Sequence, residues 1–215
     1  MKSPKIIVWL DVDDVLLNFR HMYNRHLKEN YGIKIPTNYQ ALTWDYTEVL
    51  PTKIKFPETM GTLGEYWTNQ QKIIPGADKF TQALDKLGVH IILITHIEGN
   101  QGPNRIEALT NQGVNFHEAY FTMGRTKGDF AKQVVRRYPK SINMFMDDKA
   151  SNVEEFVKVV PRVHTGITLD VPFNEGEKSV VLAENEGKIL FVKDQTQMYK
   201  TMLKIVKGLL KGKKA

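Results

Sequence analysis

WLDVDDVLLNF, residues 9–19, decides how the rest of the chain is read. The apolar run Ile6-Ile7-Val8-Trp9-Leu10 leads directly into three carboxylates, Asp11, Asp13 and Asp14, within four positions. An unbroken run of this length fits a strand buried on both faces of a parallel sheet. Acids at its carboxyl end then lie on the edge where such sheets bind ligands.

Moving outward, the runs 89–94, 119–122 and 142–146 are also short and apolar, and each gives way to turn-forming residues and a helix-like stretch. Residues 188–192 read as a last strand. This alternation predicts an α/β fold with a parallel sheet and helices on both faces. Residues 78–87 carry Phe80, Ala83, Leu84 and Leu87 at helical spacing, with Gly88 as a stop. Residues 129–138 and 151–160 also read as helices, with Ser151 and Glu154 spaced as a capping box. Residues 196–210 are amphipathic, with Met198, Met202, Ile205 and Leu209 on one face and Lys200, Lys204, Lys207 and Lys211 as a solvated opposite face. The polar segment 171–187 reads as loop or hairpin.

Residues 20–75 interrupt the rhythm. They hold Tyr23, Tyr31, Tyr39, Trp44, Tyr46, Phe56, Tyr66 and Trp67 together with Pro36, Pro51 and Pro57, and the strand–helix pattern resumes only after Pro75-Gly76. We therefore expect a core of residues 1–19 and 76–215, and a small, mostly helical insertion at 20–75. An insertion after the first strand lies over the carboxyl ends of the strands and can act as a lid. Its aromatics also suit a small core of its own.

The whole-chain composition sets limits. A chain of 215 residues with 41% hydrophobic content is one domain of ordinary size, or one core with an insertion. A net charge of +6 suits a protein that meets anions such as phosphate esters. The absence of cysteine excludes disulfides, thiolate metal sites and a cysteine nucleophile. No window approaches the ~18 uncharged apolar residues that span a membrane, and we expect a soluble, cytoplasmic protein.

A second acidic pair, Asp147-Asp148, ends the run Ile142–Met146. In a parallel sheet it reaches the same edge as Asp11 and Asp13. So many carboxylates at close range need a cation. All-oxygen ligands favour a hard ion, Mg²⁺ where phosphate is the substrate. Thr95 ends another strand, and Lys127 begins the helix before the last acidic one.

The order DxD, Thr, Lys, DD resembles the haloacid dehalogenase (HAD) superfamily of phosphotransferases. The four motifs are LDVDDVL (10–16), IILIT (91–95), RTKGD (125–129) and MFMDD (144–148). The resemblance implies a HAD-like Rossmannoid core with a small cap, and a Mg²⁺-dependent phosphomonoester hydrolase. Carried over residue by residue, Asp11 is the nucleophile that forms an aspartyl-phosphate, and Asp13 the acid and then the base. Thr95 bonds a phosphoryl oxygen and Lys127 offsets charge. Asp11, the backbone carbonyl of Asp13, Asp147 and Asp148 hold the metal, with the direct ligand of the last two left open. Lys127 is favoured over the nearby Lys132. Asp13 sets the chain apart from dehalogenases, which lack that acid, and from P-type ATPases, which carry Thr there. Three positions depart from the pattern: Asp14 stands where Gly is common, Val15 where Thr is common, and His96 follows Thr95 where a small residue is usual.

DVDDVLLNF, the aromatic insertion and IIPGADKFTQAL also resemble the 5'(3')-deoxyribonucleotidase branch. That likeness implies a small phosphorylated metabolite or nucleotide as substrate. Phe19, Trp44, Trp67 and His96 become candidate substrate contacts, with Lys72 a further candidate for phosphate. Two alternatives stand beside this reading: a phosphatase acting on nucleic-acid 3' ends, for which no separate binding module is visible, and a HAD-like binding protein without catalysis, against which every catalytic position is filled.

Overall fold

The computed structural model describes residues 3–36, 39–64, 71–97, 101–185 and 187–212. Six strands form one sheet: β1 (Ile6–Leu10), β2 (His90–Thr95), β3 (Glu118–Phe121), β4 (Ile142–Met146), β5 (Val163–Leu169) and β6 (Ile189–Val192). Their spatial order is β3-β2-β1-β4-β5-β6, and every neighbouring pair is parallel. Leu10 pairs with Leu93 on one side and Met146 on the other, so the segments after β1, β2 and β4 leave the sheet at one edge. The chain runs outward from β1 to β3, then crosses back to lay β4 on β1's other side. Such a reversal opens a crevice at the carboxyl ends of the strands.

Eight helices are present among the described residues: α1 (Phe19–Tyr31), α2 (Phe56–Gly61), α3 (Ala77–Lys86), α4 (Gly102–Asn111), α5 (Lys127–Val134), α6 (Ala150–Val159), α7 (Pro172–Glu184) and α8 (Gln195–Lys211). Side chains alternate across the strands. Ile6, Val8 and Leu10 face a core shared with Phe80 and Leu84 of α3 and Met198, Met202 and Val206 of α8. Ile7 and Trp9 face the opposite core, built with Ala131 and Val134 of α5 and Val153 and Phe156 of α6. All five β1 residues are buried, each worth roughly 1.5–3 kcal/mol when fully removed from water. Trp9 has its polar tip satisfied, because its Nε1 donates to Asn143 Oδ1 at 3.0 Å. No helix among the described residues is long and apolar enough to cross a membrane.

Several sequence expectations need correction. The segment read as loop or hairpin is the helix α7. Pro172 sits at its start, where its fixed φ and missing N–H are harmless, but exposed Val180 and Leu182 beside buried Val181 blur the apolar period. The capping box of Ser151 and Glu154 does not form. The helix begins one residue earlier, with Lys149 as its N-cap, and the amide of Ala150 donates to Asn174 Oδ1 at 3.0 Å. The helix expected over 129–138 begins at Lys127 and ends in a 3₁₀ turn at Val135–Arg137. β5 and α4 have no counterpart in the sequence reading.

In residues 20–75 the described helix is confined to α1 and α2, with turns between. Phe19, Met22, Tyr23, Leu27, Tyr46, Leu50 and Leu63 make a third cluster. Tyr23 is its hub, edge-on to both Tyr46 and Phe56, with its hydroxyl bonded to Thr59. The returning segment is stitched to the loop after β1: Asn18 donates to Lys72 and Ile74 to Leu16.

Candidate active site

The end of β1 turns sharply. Leu16 and Leu17 donate to Val12, and Asp14 donates to Leu17 at 2.7 Å. Asp14 takes φ 52°, a left-handed conformation that costs a residue with a Cβ of order 1 kcal/mol and explains why glycine suits this position. The turn aims Asp11 and Asp13 along the sheet edge. Asp11 is buried, and its amide donates to Met146 of β4 at 2.9 Å.

Lys127 is the first residue of α5. Thr126 caps that helix by accepting from the Asp129 amide, and this fixes where the lysine begins. Its Nζ lies 2.6 Å from Asp11 Oδ1 and 2.6 Å from Asp147 Oδ2. Lys132 is exposed one turn further on. Both oxygens of Asp147 have donors: Oδ2 takes Lys127, and Oδ1 takes the Lys149 amide and Asn152 Nδ2. Asp148 is held through its backbone, whose carbonyl accepts from Asn174 Nδ2. Its carboxylate has as ion partner only Arg20, at 4.0 Å, among the described residues.

Asp11, Asp147 and Asp148 each offer a carboxylate oxygen within 4.8 Å of the others, and all three are buried. Burial pushes the Asp11 carboxyl up to about 8, against the pull of Lys127 and with Asp147 and Asp13 adding repulsion. Burial and then Asp147 hold Asp148 well above the ordinary range, while Asp14 is raised by burial to about 6 despite Arg20. Burial alone disfavours the charge of Lys127, but Asp11 and Asp147 reverse that and hold it above an ordinary lysine. With all of them ionised, Asp11, Asp13, Asp14, Asp147 and Asp148 exceed their ion-pair partners Lys127, Arg20 and Arg105 by two negative charges. An all-oxygen set with that excess fits one hard divalent cation.

These groups line a cavity of about 510 Å³ with Asp11, Asp13, Asp148, Lys127 and Thr95 on its wall. Thr95 is buried at the end of β2, and its Oγ1 has no hydrogen-bond partner among the described residues. His96 is exposed on the same wall, with Nδ1 2.9 Å from Thr122 Oγ1. Phe19, the residue just before the insertion, joins the wall stacked on Tyr23 at 5.5 Å, and from the insertion comes Trp44, with Lys149 Nζ 5.2 Å from its ring centroid. Lys72 is exposed and does not line the cavity, and Trp67 lies outside the described residues.

Sequence reasoning missed two arginines. Arg20 pairs with Asp14, its Nε 3.2 Å from Oδ2 and its backbone amide 3.0 Å from Oδ1. Its guanidinium lies 5.2 Å from the Tyr46 ring centroid and 4.5 Å from that of Phe173. Arg105 of α4 reaches Asp13. Neither stands in a recognisable motif, and only the fold brings their partners near.

The sequence matches no protein-family model and no curated protein. Solved structures do resemble the fold. A HAD family hydrolase from Deinococcus radiodurans R1, solved with phosphate and sodium, superposes with a TM-score of 0.60 at 14% identity over 92% of this chain and 94% of its own. A β-phosphoglucomutase-like protein from Thermotoga maritima gives 0.56 at 17% identity, over 94% and 99%. The D,D-heptose 1.7-bisphosphate phosphatase of B. bronchiseptica, solved with magnesium and phosphate, gives 0.52 at 11%, over 93% and 98%. The shared feature is architecture along nearly the full length of each chain, and this chain has the fold of the haloacid dehalogenase superfamily.

Proposed function

We propose that the chain is a phosphomonoester hydrolase working through an aspartyl-phosphate. One observation carries the reading: Asp11, Asp147 and Asp148 converge on one point, with Lys127 bridging the first two and the unpartnered Thr95 hydroxyl on the same cavity wall. The phosphate in the Deinococcus structure, and the magnesium and phosphate in the B. bronchiseptica phosphatase, support it.

In this reading an Asp11 oxygen attacks phosphorus, the bond from phosphorus to the ester oxygen breaks, and Asp13 gives its proton to the departing alkoxide. Asp13 then takes a proton from water, whose oxygen attacks phosphorus and frees Asp11 and inorganic phosphate. Lys127 and the Thr95 hydroxyl stabilise charge on the transferring group. Mg²⁺ would be held by Asp11, Asp148 and the backbone carbonyl of Asp13, and supplies positive charge against the phosphoryl oxygens. Asp148 is the direct ligand of its pair because both oxygens of Asp147 already accept hydrogen bonds. Asp147 instead fixes Lys127.

The substrate is a small phosphate ester. Trp44 and Met60 of the insertion wall the cavity, which suits a compact ligand better than a polymer end. Phe19 and Trp44 favour a flat group, and a nucleoside monophosphate is the finer reading. The test is phosphate release from p-nitrophenyl phosphate with Mg²⁺, against Asp11→Asn and against chelator. Release no greater than the Asp11→Asn control, with several divalent metals, transfers the protein to the non-catalytic binding class. A screen of nucleoside monophosphates, sugar phosphates and a DNA 3'-phosphate then sorts the substrates.

A further inference from the structure

We propose that Arg105 is a positioning residue that, together with Gln71, fixes which oxygen of Asp13 faces the substrate's leaving group. The proposal rests on the phosphatase reading and deepens it.

Arg105 stands 92 positions from Asp13 in the chain, on α4. Its side chain is 6% exposed, yet Nη1 lies 2.5 Å from Asp13 Oδ1. Gln71 Nε2 approaches the same oxygen at 3.4 Å. Asp13 Oδ2 has no hydrogen-bond partner among the described residues, and Asp13 is on the cavity wall with its side chain 25% exposed. The oxygen paired with a guanidinium is the poorer site for a proton, because protonation there sets an O–H against the cation and weakens the charge-assisted bond. Any proton that passes between Asp13 and a leaving group therefore travels through Oδ2, and Arg105 makes that choice.

The clamp is anchored from two sides. Gly102 opens α4 against β3 so closely that a Cβ there would lie 2.5 Å from Cε2 of Phe121, which sets the position of the helix one turn before Arg105. At the other end of α4, Gln112 grips the segment returning from the insertion. Its Oε1 accepts from the Ile73 amide at 3.0 Å, and its Nε2 donates to Gln71 O at 2.9 Å. Asp13 is thus held by the core through Arg105 and by the end of the insertion through Gln71.

Two buried polar atoms beside Asp13, Arg105 Nε and Gln71 Oε1, have no hydrogen-bond partner among the described residues. A buried polar group left unpaired in a native protein calls for an explanation, and a catalytic role is one.

The experiment compares wild type, Asp11→Asn, Arg105→Ala and Gln71→Met on glycerol phosphate, whose alkoxide needs a proton, and on p-nitrophenyl phosphate, whose phenolate needs little. For Arg105→Ala, kcat on glycerol phosphate falls by ~10- to 100-fold, the scale of a misplaced acid, with KM nearly unchanged. The loss on p-nitrophenyl phosphate is clearly smaller, and added guanidinium ion restores part of the alkyl activity. Gln71→Met shows the same leaving-group contrast at smaller size, and serves alone should Arg105→Ala fail to fold. Unchanged kcat, or equal losses on both substrates without guanidinium rescue, overturns the proposal while leaving the phosphatase reading intact. Wild type no better than Asp11→Asn on either substrate overturns the phosphatase reading, and this proposal with it.

Discussion

Replacing Lys127 by Met removes the one cation that touches both Asp11 and Asp147, at 2.6 Å each, from a place where all three side chains are at most 6% exposed. Breaking a buried ion pair by deleting one partner costs about 3–5 kcal/mol, because the remaining charge is left uncompensated. The pH dependence makes the effect diagnostic. Asp11 is raised to about 8, so the stability tied to its burial is fully present below an ordinary carboxylate pKa and is lost as pH rises through 8. Each pKa unit is about 1.4 kcal/mol, so a rise from 3.8 to about 8 amounts to ~6 kcal/mol in the metal-free protein. Lys127 is the largest influence holding the Asp11 pKa down, and without it the value climbs further and the loss extends to higher pH. The deficit of Lys127→Met relative to wild type therefore grows as pH rises above 8 and is smaller at every pH below it, where Asp11 is neutral and Lys127 has one fewer negative partner. Urea unfolding with chelator present, at three pH values, measures this directly. A deficit of equal size at every pH would refute the electrostatic argument and reduce Lys127 to the packing of its methylene stem.

Three further outcomes follow from the same coordinates. Thr95→Val leaves stability unchanged or raises it by ~1 kcal/mol, because it removes an unpartnered buried hydroxyl, while kcat falls by ~100-fold. Thermal unfolding and steady-state kinetics check the pair, and a variant that is destabilised but fully active contradicts it. Binding of Mg²⁺ near pH ~7 displaces the proton held by Asp11, releasing about one per ion. Calorimetry in buffers of differing ionisation enthalpy reads the number, and zero refutes the assignment. Gly166→Ala places a Cβ 2.3 Å from Cγ1 of Val153, forcing α6 from β5 at a cost of about 1–3 kcal/mol; an unchanged melting temperature would show that the helix yields freely.

How much of this was legible in sequence depends on whether the information is local. An apolar run ending in acids is a local signal, and a parallel sheet converts several such signals into one site by bringing strand ends to one edge. Asp11, Thr95, Lys127 and the pair Asp147-Asp148 could therefore be named before their distances were known. Arg20 and Arg105 could not. An isolated arginine in a helix-like stretch has no pattern, and Asp13 is 92 residues from the side chain that holds it. The aromatics of the insertion failed to sort for a related reason. Tyr23 and Tyr46 are core, Phe19 and Trp44 meet the cavity, and nothing in their spacing separates the two groups. α7 was lost because two of three consecutive apolar residues, Val180 and Leu182, face solvent.

Asp14 bears on why the chain ends a buried strand with mutually repelling acids. At φ 52° it occupies a conformation that glycine would adopt without strain, and it adds a negative charge to a site already rich in them. Arg20 cancels that charge, so the pair leaves the local excess of two unchanged and the match to a single divalent ion intact. What the pair adds is a connection. Arg20 begins in the first turn of α1, contacts the Tyr46 ring within the insertion and the Phe173 ring of α7, and approaches Asp148 at 4.0 Å. A glycine at position 14 would give the same turn with less strain, but no carboxylate to hold that guanidinium. The backbone cost at Asp14 is thus offset by a bridge in which one side chain ties the insertion, the core and Asp148 together. All three acids at the end of β1 line the cavity, but only Asp14 is paired with the arginine that ties the insertion to the core.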